Sequence, residues 1–247
     1  MMKKTVQLDP RFCGPPDSGN GGMAAGLVAS ALPGAARVTL CAPPPLGVAM
    51  QLEGDDNEVS LTCGEHLIAT GQAHALDRAL LTPPDGARVG FDDALALQPG
   101  YIGFAEHNFP GCFVCGPQRE PGDGLRVFAA PTADRVVAAW QPDASLADGN
   151  GRVQPRFVHA ALDCPSYFAF GSTDLVALLG RMHSEVFETP AVGERLVIEA
   201  WPVERDGRKH RSAAILSRED GTLLAGAHNT WIEINGAIPK PPVPSAG

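Results

Sequence analysis

The sequence predicts an α+β fold in which one unit, a buried helix followed by antiparallel strands, occurs twice. Two segments carry this prediction, because Gly19–Leu32 and Arg156–Phe170 each begin a short and almost wholly apolar helix. Several runs of alternating apolar and polar residues, which are typical of strands, follow each helix. A chain of 247 residues is long enough for two units of about 120 residues. We therefore expect a tandem duplication, with any site at the junction of the halves.

The first half begins with a predicted strand over Val6–Phe12. Its helix follows, capped by Asp17, Ser18 or Asn20, and it is apolar on every face, which indicates a buried helix. The runs after the helix are bounded by Gly, Pro or Asp/Asn clusters, which predicts an antiparallel meander. These four predicted strands are Arg37–Ala42, Val48–Glu53, Glu58–Cys63 and His66–His74.

Pro83-Pro84-Asp85-Gly86 and Pro99-Gly100 interrupt the middle of the chain, where only a short helix over Asp92–Leu97 is predicted. We place the first unit at residues 1–108, including a connection over 76–108. The second unit covers 109–238, and a flexible proline-rich tail covers 239–247. The helix of the second unit lies near 156–171, and its predicted strands are Leu125–Ala130, Arg135–Trp140, Leu179–Glu188, Arg195–Glu204, Arg208–Arg218 and Thr222–Ile234.

Composition excludes several classes of function. The net charge is −9 and no stripe of Lys or Arg is present, which argues against a nucleic-acid partner. No run reaches the roughly 18 apolar residues that a membrane-spanning helix needs, and the N-terminus lacks the pattern of a signal peptide. We therefore expect a cytoplasmic protein without a membrane span.

Cys112 and Cys115 form one Cys-x-x-Cys motif. A structural zinc site needs four ligands, and the partners nearest to this motif are His107 and Cys13. No second Cys-x-x-Cys motif is present. We interpret the motif as a turn with two small thiols, and we expect no metal and no redox cofactor.

One buried helix wrapped by a long antiparallel meander, twice over, is the hot-dog layout. Cys112–Val127 (CFVCGPQREPGDGLRV) resembles the opening of a hot-dog domain in the thioesterase superfamily. GNGGMAAG from Gly19 and PPPLG at 43–47 are similar to segments of acyl-CoA thioesterases, and Ala160–Asp163 resembles their acid-bearing helix. The resemblance covers nearly the whole chain and implies a tandem (double) hot-dog.

Asp163 is the candidate catalytic residue. Its apolar neighbours in the sequence would raise the pKa of the carboxyl group, which is the condition for a general base near neutral pH. The resemblance implies that this acid activates water or attacks a thioester carbonyl directly. Alternatively, Asp163 is a helix-end cap or a hydrogen-bonded core carboxylate. The first helix has Val28 at the corresponding place and contains no acid, so a single site takes its acid from the second half.

Five further candidates for substrate binding lie around the two helices. Gly21 and Gly22 can present free helix-terminal N–H groups to a thioester oxygen, and Asn20 can orient the water or the carbonyl. Alternatively these residues form only a capped turn, and which helix supplies the donors stays open. His159 can support the acid, although a core histidine with one partner is the plainer interpretation. The resemblance also implies a polar amide on the last strand, for which we choose Asn229.

The leading function is hydrolysis of an acyl-CoA, or a related acyl thioester, to the free acid and the thiol. One alternative is a hot-dog protein that binds acyl-CoA without turnover, because the first helix lacks an acid. Another is a hydratase or dehydratase, which requires Asp163 and a histidine in one site. Two free sheet edges would also allow two chains to associate as a homodimer.

Overall fold

The computed structural model describes residues 1–84 and 88–242. Within these ranges the strands form one antiparallel sheet of eleven strands with four α-helices. The first half contains β1 (Met2–Gln7), α1 (Gly21–Ala29), β2 (Ala36–Leu40), β3 (Ala49–Gly54), β4 (Glu58–Cys63) and β5 (His66–Ala73). The rest contains α2 (Phe91–Leu97), β6 (Ala130–Pro131), β7 (Val136–Trp140), α3 (Pro155–Ala161), α4 (Cys164–Phe168), β8 (Ala177–Val186), β9 (Leu196–Asp206), β10 (Lys209–Arg218) and β11 (Leu223–Glu233).

The two halves of the chain share one sheet. The strand order is β1-β3-β4-β5-β2-β8-β11-β10-β9-β7-β6, so β2 of the first half pairs with β8 of the second. This pairing is antiparallel and places Ala36 opposite Ser184 and Thr39 opposite Arg181. The predicted α+β fold, with a long sheet around a buried helix in each half, is confirmed.

Helices α1 and α3 cross at very short range inside the sheet, and glycine makes this possible. A Cβ atom at Gly22 would lie 3.0 Å from the Cα atom of Ala160 and 2.5 Å from the Cβ atom of Asp163. A Cβ atom at Gly26 would lie 2.8 Å from the carbonyl oxygen of Arg156. Any side chain at these positions would push the helices apart, so the two glycines set the distance between the halves.

Residues 76–84 and 88–97 cover the outer face of the second-half sheet. Leu76 and Leu81 pack there with Trp201 of β9. Phe91 of α2 packs with Val137 of β7 on the same face. Strand β9 is therefore buried on both faces over its first six residues. The division of the chain into units at residue 108 stays a prediction.

Three predicted elements were wrong in detail. The first strand ends at Gln7, because Asp9 caps a short 3-10 turn over Pro10–Phe12. Leu125–Ala130 is not a strand before Ala130, since its backbone bonds to the Cys112–Cys115 turn through Leu125 and Val127 instead.

The helix predicted near 156–171 is also interrupted, and it forms α3 and α4 with a break at Leu162 and Asp163. Strands β1 and β6 are the two edges of the sheet, and association into a homodimer stays a prediction. No helix in the described ranges is both long and apolar enough to span a bilayer. Part of the predicted tail (243–247) and Asp85-Gly86 of the connection lie outside the described residues.

Candidate functional site

Asp163 lies at the break between α3 and α4. The last turn of α3 tightens where Leu162 N–H donates to His159 O at 3.2 Å. Pro165 occupies the first turn of α4, where its missing N–H costs no helical hydrogen bond. The hydroxyl group of Ser166 donates to Asp163 O at 2.6 Å. The break thus fixes the backbone of Asp163 from both sides.

The carboxylate of Asp163 binds the first half of the chain. Asn20 Nδ2 and the Gly22 N–H group donate to Asp163 Oδ2 at 2.8 and 2.9 Å. Asn20 is also the N-cap of α1, because its Oδ1 accepts from Met23 N at 2.9 Å. The first turn of α1 therefore points its donors at the acid that follows α3, and which helix supplies donors to a substrate stays a prediction.

The other carboxylate oxygen of Asp163 has no hydrogen-bond partner in the part of the chain that the structure describes. Asp163 is only 1% exposed, and its Oδ1 is buried without a hydrogen bond. The residue borders a cavity of about 60 Å³, which has room for water. Its walls are mostly apolar or thiol groups and include Gly21, Cys112, Cys115, Tyr167, Phe168 and Trp231.

Burial raises the pKa of the Asp163 carboxyl group to about 7. The Gly22 N–H group and the Asn20 amide lower this pKa, while the neighbouring Cys112 raises it. Desolvation outweighs the two hydrogen bonds in setting this pKa. Such a group can accept and return a proton near neutral pH.

A second pocket, of about 260 Å³, adjoins the cavity. The two share Pro15, Gly21, Leu178 and Leu179 as lining residues. A Cβ atom at Gly21 would lie 2.9 Å from Leu179 Cβ, so only glycine fits at this point. The first turn of α1 therefore lies between Asp163 and the larger pocket.

His159 does not join this group. It is buried, and its Nδ1 lies 3.0 Å from Ser184 Oγ on β8. Burial lowers the pKa of His159 to about 4, so the ring is neutral at pH 7. This arrangement fits the plainer interpretation of a core histidine with one partner, and a contact with substrate stays a prediction.

Asn229 is buried on β11 beside the helix break. Its Nδ2 donates to Leu162 O at 3.0 Å and to Ser166 Oγ at 2.7 Å. Trp231 Nε1 donates to the same hydroxyl oxygen at 2.9 Å. Asn229 therefore anchors the segment that carries Asp163, and its predicted role toward substrate stays untested. Ser166 and Trp231 were missed as site residues, because their positions depend on a break that periodicity does not show.

Three cysteines meet on the wall of the cavity. Cys164 Sγ lies 3.7 Å from Cys112 Sγ, and these two sulfur atoms and that of Cys115 all lie within 4.8 Å of one another. Hydrogen bonds from the Cys115 and Cys164 thiols lower the pKa of Cys112, whereas burial raises the pKa of Cys115 and Cys164. From the sequence, His107 and Cys13 are the nearest potential partners of the Cys-x-x-Cys motif. In the structure, the residue that joins Cys112 and Cys115 is Cys164.

Comparison with known proteins identifies this architecture. No protein-family model matches the sequence, and no curated protein matches it. A solved TesB protein of Mycobacterium avium subsp. paratuberculosis has 10% identity and a TM-score of 0.62, over 94% of this chain and 93% of that chain. A protein of Novosphingobium aromaticivorans described as a candidate thioesterase has 13% identity and a TM-score of 0.60, over 95% and 96%.

A third similar structure is a candidate thioesterase II of Thermobifida fusca. It has 14% identity and a TM-score of 0.58, over 94% of this chain and 92% of that chain. All three alignments run through both halves, so the likeness concerns the tandem arrangement as a whole. The chain therefore has the tandem hot-dog fold of these thioesterase structures.

Proposed function

We propose that the protein is a thioesterase that hydrolyses an acyl-CoA, or a related acyl thioester, to the free acid and the thiol. The observation that carries this proposal concerns the second carboxylate oxygen of Asp163. This oxygen is buried, has no hydrogen-bond partner among the described residues and belongs to a residue that borders a cavity. The fold of the three similar structures agrees with this activity.

In the proposed reaction, Asp163 Oδ1 takes a proton from a water molecule in the cavity. The hydroxide formed attacks the thioester carbonyl carbon, the carbon–sulfur bond breaks, and the proton passes from Asp163 to the departing thiolate. Direct attack by Asp163, followed by hydrolysis of the anhydride, gives the same products. In both routes the bonds from Asn20 and Gly22 hold the carboxylate in place before the reaction.

The charge that develops on the thioester oxygen needs a donor. The Gly22 N–H group already bonds to the acid. We assign this role to Gly21, which is in the first turn of α1 and lines both pockets. First-turn amides have no partner within their own helix, and the helix dipole adds partial positive charge there. The adjoining pocket of about 260 Å³ then binds either the acyl part or the thiol part of the substrate.

The test is a panel of acyl-CoA thioesters assayed by the release of free thiol. We expect Asp163→Asn to lower kcat by about 100-fold or more, since general base catalysis contributes that much. Asparagine preserves the size of the side chain and one acceptor oxygen. Asp56→Asn, at an exposed hairpin, is the matched control and keeps full activity. Equal rates for Asp163→Asn and the parent would disprove the assigned role.

A second candidate is a protein that binds acyl-CoA without turnover, and the absence of an acid in α1 favours it. Saturable binding of an acyl-CoA by the parent, with no thiol released from any member of the panel, would select this alternative. We do not propose a hydratase, because no histidine among the described residues hydrogen-bonds to the Asp163 carboxylate.

A further inference from the structure

We propose that Cys112, Cys115 and Cys164 bind one zinc ion, with water from the cavity as the fourth ligand. The three thiols line the same cavity as Asp163, but the proposal does not rest on thioester hydrolysis and needs no assumption about the substrate. It differs from the expectation drawn from the sequence, in which the Cys-x-x-Cys motif had no third thiol.

The spacing of the sulfur atoms suits a tetrahedral ion. Zinc–sulfur bonds of about 2.3 Å in a tetrahedron place the sulfur atoms about 3.8 Å apart. Cys112 Sγ and Cys164 Sγ are already 3.7 Å apart, and Cys115 Sγ lies within 4.8 Å of both. Small side-chain rotations are enough to complete three corners of the tetrahedron.

The backbone of the Cys112–Gly116 turn is also shaped for a metal. Gly116 N–H donates to Cys112 O at 2.9 Å, which closes the turn. A Cβ atom at Gly116 would lie 2.5 Å from Cys112 O, so only glycine allows this closure. The closed turn holds the Cys112 and Cys115 sulfur atoms within 4.8 Å of each other.

The surroundings favour a soft divalent ion. The three cysteines are 2%, 2% and 6% exposed, so thiolates here need a nearby positive charge. Thiolate ligands select zinc over magnesium or calcium. In the ranges that the structure describes, no fourth Cys, His, Asp or Glu side chain completes the group. The three residues line the cavity beside Asp163, which leaves the fourth position accessible to water.

Zinc in this site would tie two distant parts of the second half together. Cys112 and Cys115 lie in the turn after the connection, whereas Cys164 begins α4. Because an ion that binds only the folded chain adds its binding energy to stability, zinc should raise the Tm.

The experiment uses the full-length protein, reduced, stripped of metal with a chelator and titrated with CoCl₂ or ZnCl₂ under argon. We expect one equivalent of cobalt, with a thiolate-to-metal charge-transfer band and the visible bands of a tetrahedral site. Zinc should displace the cobalt and raise the Tm. Cys112→Ser, Cys115→Ser and Cys164→Ser should each weaken binding on the order of 100-fold or more. Cys63→Ser, a buried thiol outside the group, should bind as the parent does.

A second measurement needs no variant and so does not depend on how the variants fold. Alkylation of the parent in rising concentrations of urea, read by mass spectrometry, should show that zinc raises the urea concentration at which Cys112, Cys115 and Cys164 react, while exposed Cys41 reacts throughout with or without metal. Unchanged alkylation of the three thiols would overturn the proposal. A Cys112–Cys164 disulfide that persists in the reduced sample would also overturn it, as would cobalt binding that survives all three substitutions.

Discussion

The N-terminal ends of α1 and α3 lie on opposite sides of one helix crossing, but only the α1 end faces an acid. At the α1 end, Asn20 and Gly22 donate to Asp163. At the α3 end, the Gln154 side chain bonds to Ala147 O instead of capping the helix, and Pro155 has no N–H group to offer. The neighbouring end of α1, residues 28–30, contains no carboxylate.

Packing explains why the N-terminal end of α3 lacks a comparable site. Val28 is fully buried, and its Cγ1 would lie only 2.5 Å from a Cβ atom placed at Gly71. Val28 therefore packs directly against β5, whereas Asp163 borders a cavity. A duplicated scaffold does not guarantee a duplicated site, because both the acid and the empty volume must be present at each end.

The largest expected effect comes from placing an acid at Val28, next to the N-terminal end of α3. Val28→Asp should destabilise the protein by about 4 kcal/mol in urea unfolding, since it buries a carboxylate without donors. Val28→Thr is the uncharged control of similar shape and should cost less. The double variant with Asp163→Asn should show no thioester hydrolysis. Recovered turnover in the double variant would mean that the two ends are equivalent.

The next prediction distinguishes the roles of Gly22 and Gly26, the two glycines at the helix crossing, in stability and in turnover. Gly22→Ala and Gly26→Ala should each cost about 2 kcal/mol, because the new methyl group meets the partner helix. Only Gly22→Ala should also reduce kcat strongly, since its Cβ would displace Asp163. Gly149→Ala is the control, with no atom within 4 Å of the added carbon. Equal losses of kcat in both crossing variants would argue against a specific role for the α1 end.

Asn20 has two roles, as the N-cap of α1 and as a hydrogen-bond donor to Asp163, and two substitutions separate them. Asn20→Ser keeps an N-cap acceptor, so stability should change by less than about 1 kcal/mol. It loses the amide that holds Asp163, and kcat should fall about tenfold, or about 1.4 kcal/mol. Asn20→Ala should add a further loss of about 1 kcal/mol in stability. A full kcat in Asn20→Ser would show that Gly22 alone positions the acid.

His159, in the middle of the crossing, should affect stability and not turnover. Its pKa of about 4 lies below the unfolded value of 6.5, so the unfolded chain binds more protons between these pH values. The contribution of His159 to the free energy of unfolding should therefore fall by about 1.4 kcal/mol between pH 8 and pH 5.5, whereas Asp163, whose pKa is raised, contributes in the opposite direction. His159→Gln should remove that contribution, measured as the difference from the parent, and leave KM unchanged. A raised KM in His159→Gln would instead support the predicted contact between His159 and the substrate.

Much of the fold could be predicted because the responsible interactions are local. Alternation of apolar residues located β2–β5 and β8–β11, and the apolar helix at Gly21 indicated a buried α1. Asp163 and Asn20 also stood out, because a carboxylate in an apolar segment and a polar cap before one are visible in the chain itself. Their mutual contact was not visible, since it depends on how closely the glycines bring the helices together.

The remaining features depend on contacts distant in sequence. Leu125–Val127 has the pattern of a strand, but its partner is the Cys112–Cys115 turn. Cys164 joins that turn only because the helix breaks at Asp163, and the same break draws Asn229 to Leu162 and Ser166. Spacing along the chain carries no record of such a break.

The pairing of β2 with β8 within a single chain has an evolutionary consequence. In an assembly of two identical subunits, every mutation appears in both copies, so neither copy can specialise. Here Asn20 and Asp163 belong to separate codons of one gene, and each half can drift without changing the other. Fusion thus lets one half retain the donors and the other half retain the acid. The position in the first half that corresponds to Asp163, Val28, is then free to become an ordinary core residue.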